Sequence, residues 1–380
     1  MNIAFIHNEK KLGTGANYIN ELISSKLRQR KIKVKNFYPK AELIDSPAHL
    51  RGISNILFFY SLLERRQEIL RYSIVQGTTY TPLPFLSFKI PVVSHFGSTT
   101  SGFLKATPFA NRLERSTKSI WYSLRKDGIV KELNLKTRRP LRDIAEIENY
   151  VAVKAIAVIA TSQKVKKELI MSGVPSQKIE IIHNAIEDYW FDTRSISIKN
   201  TPHLVFLGRL GGDAFTLKLK GIDRLIHFYN HFPKMKKTTI CMTTNKPLKT
   251  WLKKELHNHM VFTNLRKDLI PNILGSLSGS ILFIPSRYEG FSLSLVEGMS
   301  QGLIPITYSV GVAPEIIKNG MNGFIVKSQK EAIQVAKKLI RDRAMRVRLS
   351  SEAIFTAQQF KSDIMANKLF NFYQKILHKK

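Results

Sequence analysis

Short apolar runs that end in polar or glycine residues alternate along this chain with longer stretches whose apolar residues recur every three or four positions. The first run, residues 2–7, gives way to a polar, glycine-bearing loop and then to ANYINELISSKL at residues 16–27, which predicts strand, glycine loop and helix. Similar runs follow at residues 73–77, 91–97, 155–162 and 178–184. Their near-continuous apolar character is that of strands covered on both faces by helices. The same grammar restarts at residues 203–208, 238–244, 280–286 and 303–308, with helical patterns between.

Two successive sets of this kind predict an α/β fold of two doubly wound, Rossmann-like domains facing a cleft, with ligands at the carboxyl ends of the strands. The length of 380 residues agrees, because a single core stops growing well below that size. The boundary is expected near Ser195, in the polar stretch TRSISIKNTP, giving domains over residues 1–195 and 196–360. Residues 331–340 read as a helix. A final helix within 361–380 carries Met365, Leu369, Phe372, Tyr373 and Ile376 at helical spacing and is expected to pack back on the first domain. Residues 98–145 hold no clear strand, many cations and several aromatics, and read as a helical insertion of the first domain whose role is open.

Composition narrows the class. Hydrophobic residues at 43% and charged ones at 23% describe a globular chain, not a disordered or fibrous one. The formal charge of +32 is shared almost evenly between the two halves, so no basic tail carries it. Such a field attracts nucleic acid, anionic membranes or phosphate-bearing substrates, and equally describes a lysine-rich solvated surface. The single cysteine, Cys241, excludes an internal disulfide and a multi-cysteine metal site, which fits a reducing compartment and cytoplasmic localisation. The first residues lack the basic start and apolar core of a secretory signal, and no segment approaches the ~18 apolar residues of a membrane helix. Any membrane contact is therefore expected to be peripheral. Residues 26–37 (KLRQRKIKVKNF) interleave cations with Leu27, Ile32, Val34 and Phe37; they suit an anionic lipid surface, or a helix end running into a strand.

The most informative segment is PSRYEGFSLSLVEGMSQGLIPI, residues 285–306, in which a strand ends, a short loop carries Glu289-Gly290-Phe291-Ser292, and a helix begins. A helix start exposes unpaired N–H groups that suit hydroxyls or phosphates of a ligand. Ser294 and Glu297 also match a capping box, which would account for both without a ligand. In a second segment Arg209 lies just beyond a strand and Lys220 at an expected helix start, where a fixed positive pair could neutralise a leaving diphosphate without a metal. A solvated surface is the plainer reading of that pair. His95 follows a first-domain strand as a hydrogen-bonding or proton-handling group, or as a structural histidine. The loop Gly13-Thr14-Gly15 either cradles a phosphate or merely turns the chain.

Glu289 to Glu297 reproduces an E-x7-E pattern. With AVIATSQKVKKELIMSGVPSQKIEIIHNAIEDYWF, LGRL followed by KGID, and GVAPEIIKNGMNGFIV, the chain resembles the family 4 glycosyltransferases over most of its length. The resemblance implies the GT-B fold, retention of anomeric configuration, and a nucleotide-sugar donor. It implies that Arg209 and Lys220 hold the donor diphosphate, that Glu297 binds the ribose, and that Glu289 with Phe291, Ser292 and Leu293 addresses the donor sugar. Gly15 would approach the diphosphate and His95 would lie near the reacting sugar, so His95, Arg209, Lys220 and Glu289 form the implied catalytic set. Three departures stand out, one being that residues 98–145, which lie where such enzymes recognise acceptors, have no counterpart in the family. The stretch between Arg209 and Lys220 is long, so Lys218 could replace Lys220, and Asn184-Ala185-Ile186-Glu187 stands where the family has N-G-V-D.

The implied activity is a retaining hexosyl transfer to a cell-surface glycan or lipid-linked acceptor, such as lipopolysaccharide or capsule, in the cytoplasm or at the inner membrane face. It implies no cofactor and no metal. A UDP-sugar is favoured as donor, although segment FTNLRKD near Asn264, expected beside the base, leaves uridine and guanosine open. Nucleic acid is not an expected partner. The competing readings are a basic nucleic-acid- or glycan-binding protein that kept the fold, and a phosphorylase or epimerase on the same fold.

Overall fold

A computed structural model describes residues 1–7, 15–39, 58–134, 138–192, 198, 200–243 and 245–378. Two compact units are present: Met1–Leu104 with Lys136–Glu187 and Phe360–Lys380, and Lys105–Leu135 with Asp188–Gln359. Each is a six-stranded parallel sheet flanked by helices. Among the described residues no helix is long and apolar enough to cross a membrane.

In the first unit β1 (Asn2–Ile6), β2 (Lys33–Phe37), β3 (Ile74–Thr78), β4 (Val92–Phe96), β5 (Ala157–Ala160) and β6 (Ile179–Ile181) lie in the order β2-β1-β3-β4-β5-β6. The central β4 and β5 are buried along their whole length, as strands covered on both faces must be. The edge strand β2 alternates buried and exposed positions, with Lys33 and Lys35 outward, which blunts pairing with a further strand. Helix Gly15–Gln29 precedes it. Residues 26–37 are thus a helix end running into a strand, and Lys26 and Arg30 pair with Asp363 of helix Ser362–His378 at 3.3 and 3.2 Å. That terminal helix is also tied to β3, where the Tyr373 hydroxyl donates to Gln76 Oε1 at 2.6 Å.

The second unit comprises β7 (Leu204–Arg209), β8 (Lys237–Met242), β9 (His259–Thr263), β10 (Ile281–Ile284), β11 (Ile304–Thr307) and β12 (Phe324–Ile325), in the order β12-β11-β10-β7-β8-β9. Strand order reverses between β7 and β10, the point at which doubly wound sheets bind ligands at the carboxyl ends of their strands.

Two expectations about boundaries are corrected. Ser195 lies outside the described residues, and the units divide between Glu187 and Asp188. On one side the Ile186 amide donates to Phe360 O in the first unit; on the other Trp190 is buried and its carbonyl accepts from Gln301 Nε2 at 2.6 Å. The insertion was expected in the first domain over residues 98–145. Its middle, Lys105–Leu135, belongs to the second unit instead. Leu113, Ile120, Trp121, Leu124, Ile129 and Val130 join the apolar core formed by Leu217, Ile222 and Leu225. Buried Lys218 donates to Pro108 O at 2.8 Å and Leu133 O at 2.6 Å, and Asn245 Nδ2 donates to Ile129 O at 3.2 Å. Basic and aromatic residues thus serve as anchors for this segment.

The firmest anchor is ionic. Asp223, fully buried, accepts from both terminal nitrogens of Arg287 at 2.8 and 2.7 Å and from Thr117 Oγ1 of the inserted segment at 3.0 Å. Burial alone would raise the Asp223 pKa, but the hydrogen bonds and charge of Arg287 outweigh it and hold the carboxyl below its ordinary value. Removing one partner of a buried pair strands the other charge. Asp223→Ala is therefore expected to lower unfolding free energy by about 3–5 kcal/mol, measured by denaturant titration. A loss under about 1 kcal/mol, the range of an exposed pair, would show that the pair does not bear this load.

Candidate functional site

The carboxyl end of β7 presents Arg209, which is exposed and has no ion pair among the described residues. The chain then turns through Gly211 and Gly212 into helix Ala214–Lys220, whose N-cap Asp213 accepts from the Thr216 amide at 2.8 Å. Lys220 is therefore the last residue of a helix and not the first, as the sequence suggested. The long stretch after Arg209 folds as this extra helix, and helix Ile222–Asn230 follows after Gly221 alone. Gly221 has φ +66°, and a Cβ there would stand 2.2 Å from Pro285 O, so the junction packs directly on the end of β10. Arg287 completes the joint: its amide donates to Leu219 O at 2.8 Å and its guanidinium to Lys218 O at 3.0 Å, satisfying carbonyls that a helix end leaves open.

This packing brings Lys220 to Glu289. Lys220 Nζ donates to Glu289 Oε1 at 2.7 Å, and Ser286 Oγ donates to the same oxygen at 2.7 Å. Glu289 Oε2 has no protein donor among the described residues. The pair is mostly buried, with side chains 25% and 13% exposed, so its charges are screened far less than on an open surface. Lys218, the alternative considered for Lys220, points elsewhere, to the carbonyls of Pro108 and Leu133.

Beyond Glu289 the chain passes Phe291 and Ser292 into helix Leu293–Ser300. Ser292 is the N-cap, so Ser294 lies inside the helix and the expected Ser294–Glu297 capping box does not form. Ser292 adopts φ 84°, a left-handed conformation that costs a non-glycine residue about 1–3 kcal/mol. Its buried hydroxyl has no hydrogen-bond partner among the described residues. The conformation is enforced from behind. Gly311, with φ +54°, leaves room where a Cβ would meet Phe291 O at 2.2 Å, and the Val312 amide donates to Phe291 O at 2.8 Å. Strain and a buried hydroxyl without a partner among the described residues make this helix start a candidate ligand site. Leu293 opens the helix, and one turn on, buried Glu297 pairs with Lys267 at 3.3 Å, which brings the segment after β9 to this helix.

Gly15 and His95 stand in the first unit. Gly15 opens helix Gly15–Gln29, while Gly13 and Thr14 lie outside the described residues. His95 occupies the carboxyl half of β4, and complete burial pulls its pKa down to about 4, so its imidazole is neutral at pH 7. The loop after β4 is held by two carboxylates. Glu148 accepts from the Thr100 amide at 2.8 Å and Thr100 Oγ1 at 2.9 Å, and Glu168 accepts from Thr99 Oγ1 at 2.6 Å. Burial pushes Glu148 up to about 7, against the lowering effect of the Thr100 hydrogen bonds.

Sequence reasoning missed Ser286, Arg287, Asp223 and Lys267. Ser286 and Arg287 sit inside the segment it prized, three and two residues before Glu289, but only the fold shows what they hold.

Comparison with known proteins agrees with this architecture. Residues 190–354 match the family described as glycosyl transferases group 1. An uncharacterized glycosyltransferase of Methanocaldococcus jannaschii is 25% identical over 202 residues, 48% of this chain and 50% of the relative. An uncharacterized 41.2 kDa protein in the cps region of Klebsiella pneumoniae is 24% identical over 188 residues, 47% of this chain and 50% of the relative. The chain thus spans about half the length of the curated relatives it matches. Among solved structures, sucrose-phosphate synthase from Thermosynechococcus elongatus covers 100% of both chains at TM-score 0.74 and 14% identity. Anabaena HepE in complex with UDP and glucose covers 99% of this chain and 100% of its own at TM-score 0.68 and 18% identity. WaaG, described as a glycosyltransferase involved in lipopolysaccharide biosynthesis, covers 97% and 98% at 0.67 and 16%. At these identities the likeness establishes the fold: two Rossmann-like α/β units of the GT-B type.

A carboxyl whose folded pKa is raised binds more protons folded than unfolded, so its contribution is present below the unfolded pKa and is lost as pH rises toward 7. Glu148→Gln keeps an acceptor for the Thr100 amide without the titration. Relative to the parent, the variant should gain stability as pH rises from 5 to 7, by about 1.4 kcal/mol per unit of pKa difference, and level off above pH 8. Parallel denaturation midpoints for the two proteins across that range would show that Glu148 titrates normally.

Proposed function

We propose that this protein is a retaining glycosyltransferase that moves a hexosyl group from a nucleotide-diphosphate sugar to a glycan or lipid-linked acceptor. The observation that carries the reading is the Lys220–Glu289 pair at the β7/β10 switch point, next to a strained helix start whose Ser292 hydroxyl has no partner among the described residues. In this reading Arg209 and Lys220 hold the diphosphate and stabilise it as it leaves, by a fixed positive charge that needs no reorganisation. Glu289 Oε2 and the backbone N–H groups at Phe291, Ser292 and Leu293 address the sugar, and Glu297 the ribose. The acceptor hydroxyl oxygen bonds to the anomeric carbon on the face from which the diphosphate oxygen departs, and the acceptor proton passes to that diphosphate.

The HepE structure holding UDP and glucose favours uridine as the base. The relative in a cps region and the WaaG likeness favour a cell-surface glycan as product, made in the cytoplasm at the membrane face. For the membrane part, the expected result is sedimentation of the protein with anionic vesicles and not with neutral ones.

A thermal-shift screen against UDP, GDP, ADP and their sugar conjugates, without added metal, should give stabilisation by one nucleotide, because a ligand that binds only the folded state raises apparent stability. Lys220→Ala and Glu289→Ala should each reduce turnover about 10²-fold or more when assayed well below the unfolding midpoint of each variant, so that the stranded partner charge does not enter the comparison. Near-normal turnover in both variants would remove these residues from the site, and no shift with any nucleotide would count against the donor class.

A further inference from the structure

A cavity of about 420 Å³ lies wholly within the second unit, at the carboxyl ends of β10 and β11. The inserted segment contributes Pro108, Arg112 and Glu114; Arg224, Arg287 and Tyr308 form the rest of the wall. Its chemistry differs from that of an ordinary surface hollow. Arg224 donates to Glu114 Oε1 at 3.1 and 3.0 Å and stacks its guanidinium over the Tyr308 ring at 4.2 Å. Arg287 is committed to Asp223. Arg112 is exposed and has no carboxylate partner among the described residues, so the three arginines outnumber the two acids that pair with them. Tyr308 is 8% exposed, and its buried hydroxyl has no hydrogen-bond partner among the described residues. Burial raises its pKa to about 12, so it stays a neutral donor.

Position matters as much as charge. Ser286 lines the cavity and donates to Glu289 Oε1 at 2.7 Å, so a single side chain separates this space from the carboxylate assigned to the donor sugar. The Glu114 side of the wall is held in place, because Arg224 binds Glu114 and Asp223 binds Thr117 three residues on. Guanidinium groups gathered around an open hollow bind phosphate or carboxylate oxygens in paired hydrogen bonds.

We propose that this cavity is an acceptor subsite that receives an anionic substituent, a phosphate or a carboxylate, carried by the acceptor sugar. The assignment of the occupant as acceptor rests on the glycosyl transfer reading above; the anion site itself rests on the cavity. Arg112 is its specificity-determining residue, free to close over the bound group while Arg224 and Arg287 keep their partners.

Isothermal titration of the full chain with glucose 6-phosphate, glucuronate and glucose tests the proposal. One of the two anionic sugars should bind and glucose should not, and the preferred one identifies the substituent. Arg112→Ala should weaken that binding about tenfold or more, Arg112→Lys should retain part of it, and Tyr308→Phe should weaken it with the fold kept. The interaction should persist in an Arg209→Ala/Lys220→Ala background, which removes the cations assigned to the donor diphosphate. Binding that is indifferent to Arg112, or that disappears with Arg209 and Lys220, overturns the proposal. Nucleotide thermal shifts in Arg112→Ala keep the two readings apart: they should equal those of the parent. Arg112-dependent sugar-phosphate binding in a protein that no nucleotide stabilises would leave the anion site standing and remove its role as acceptor subsite.

Discussion

The second unit depends on one buried ion pair. Asp223 has no exposure to water, and an isolated carboxylate in that position would cost several kcal/mol. The fork of Arg287 matches it oxygen for nitrogen, and Thr117 adds a third donor. That geometry binds three separate pieces of chain at one point: the start of helix Ile222–Asn230, the loop after β10, and the inserted segment. Because Arg287 also takes the last carbonyls of helix Ala214–Lys220, the same residue fixes where Lys220 ends up. Two residues further on the chain delivers Glu289 to it. The Lys220–Glu289 contact is thus a consequence of the buried pair, and the cavity beside it shares the same wall.

Much of this was legible in the residues, and the part that was not has a physical reason. Every apolar run read as a strand contains one: β1, β3, β4, β5, β7, β8, β10 and β11 are largely buried and their sequences show it, and β6, at the edge of its sheet, is carried by buried Ile179. The run 238–244 ends at a residue outside the described set, but its core is β8. The elements left unread, β9 and β12, lie at the edges of their sheet, where half-exposed residues such as His259 and Thr263 carry no continuous signal. At the site, Glu289, Ser292 and Glu297 stood out because a strand end and a helix start leave marks in sequence. The placement of Lys220 at a helix end did not, since Asp213 caps an additional helix whose seven residues look like part of a loop. The allegiance of residues 105–135 was illegible for a different reason. Chain order places them in the first half, and only side-chain contacts with Lys218, Asp223 and Trp251 assign them to the second unit.

The charge of +32 also acquires a structural account. With 60 cations against 28 acids, carboxylates are the scarcer partner, and several buried cations are satisfied without one. Backbone carbonyls take that role. Lys218 donates to Pro108 O and Leu133 O, Lys237 to Phe232 O, Met235 O and His257 O, and Arg346 to Leu339 O at 2.9 Å. Each adds a charged donor to the carbonyls of a loop or a helix end, and burial lowers the Lys237 pKa as the cost of doing so. A basic composition can therefore be an internal device as well as a field for attracting anions.

This usage gives carboxylates their diagnostic value. In a chain where carbonyls commonly satisfy buried cations, an acid spent on a cation stands out. At the carboxyl ends of the second sheet, beside the Glu114–Arg224 pair of the cavity wall, three more such pairs gather: Asp223 with Arg287, Glu289 with Lys220, and Glu297 with Lys267. The first is sealed and shapes the wall. The other two keep their cations next to a helix start whose Ser292 hydroxyl is unpartnered and whose backbone is strained. A structure that only needed to fold would relieve both, with glycine at 292 or a carbonyl turned toward the hydroxyl. Left unrelieved beside paired charges, they are the features that single out this helix start as the candidate site for a polar ligand.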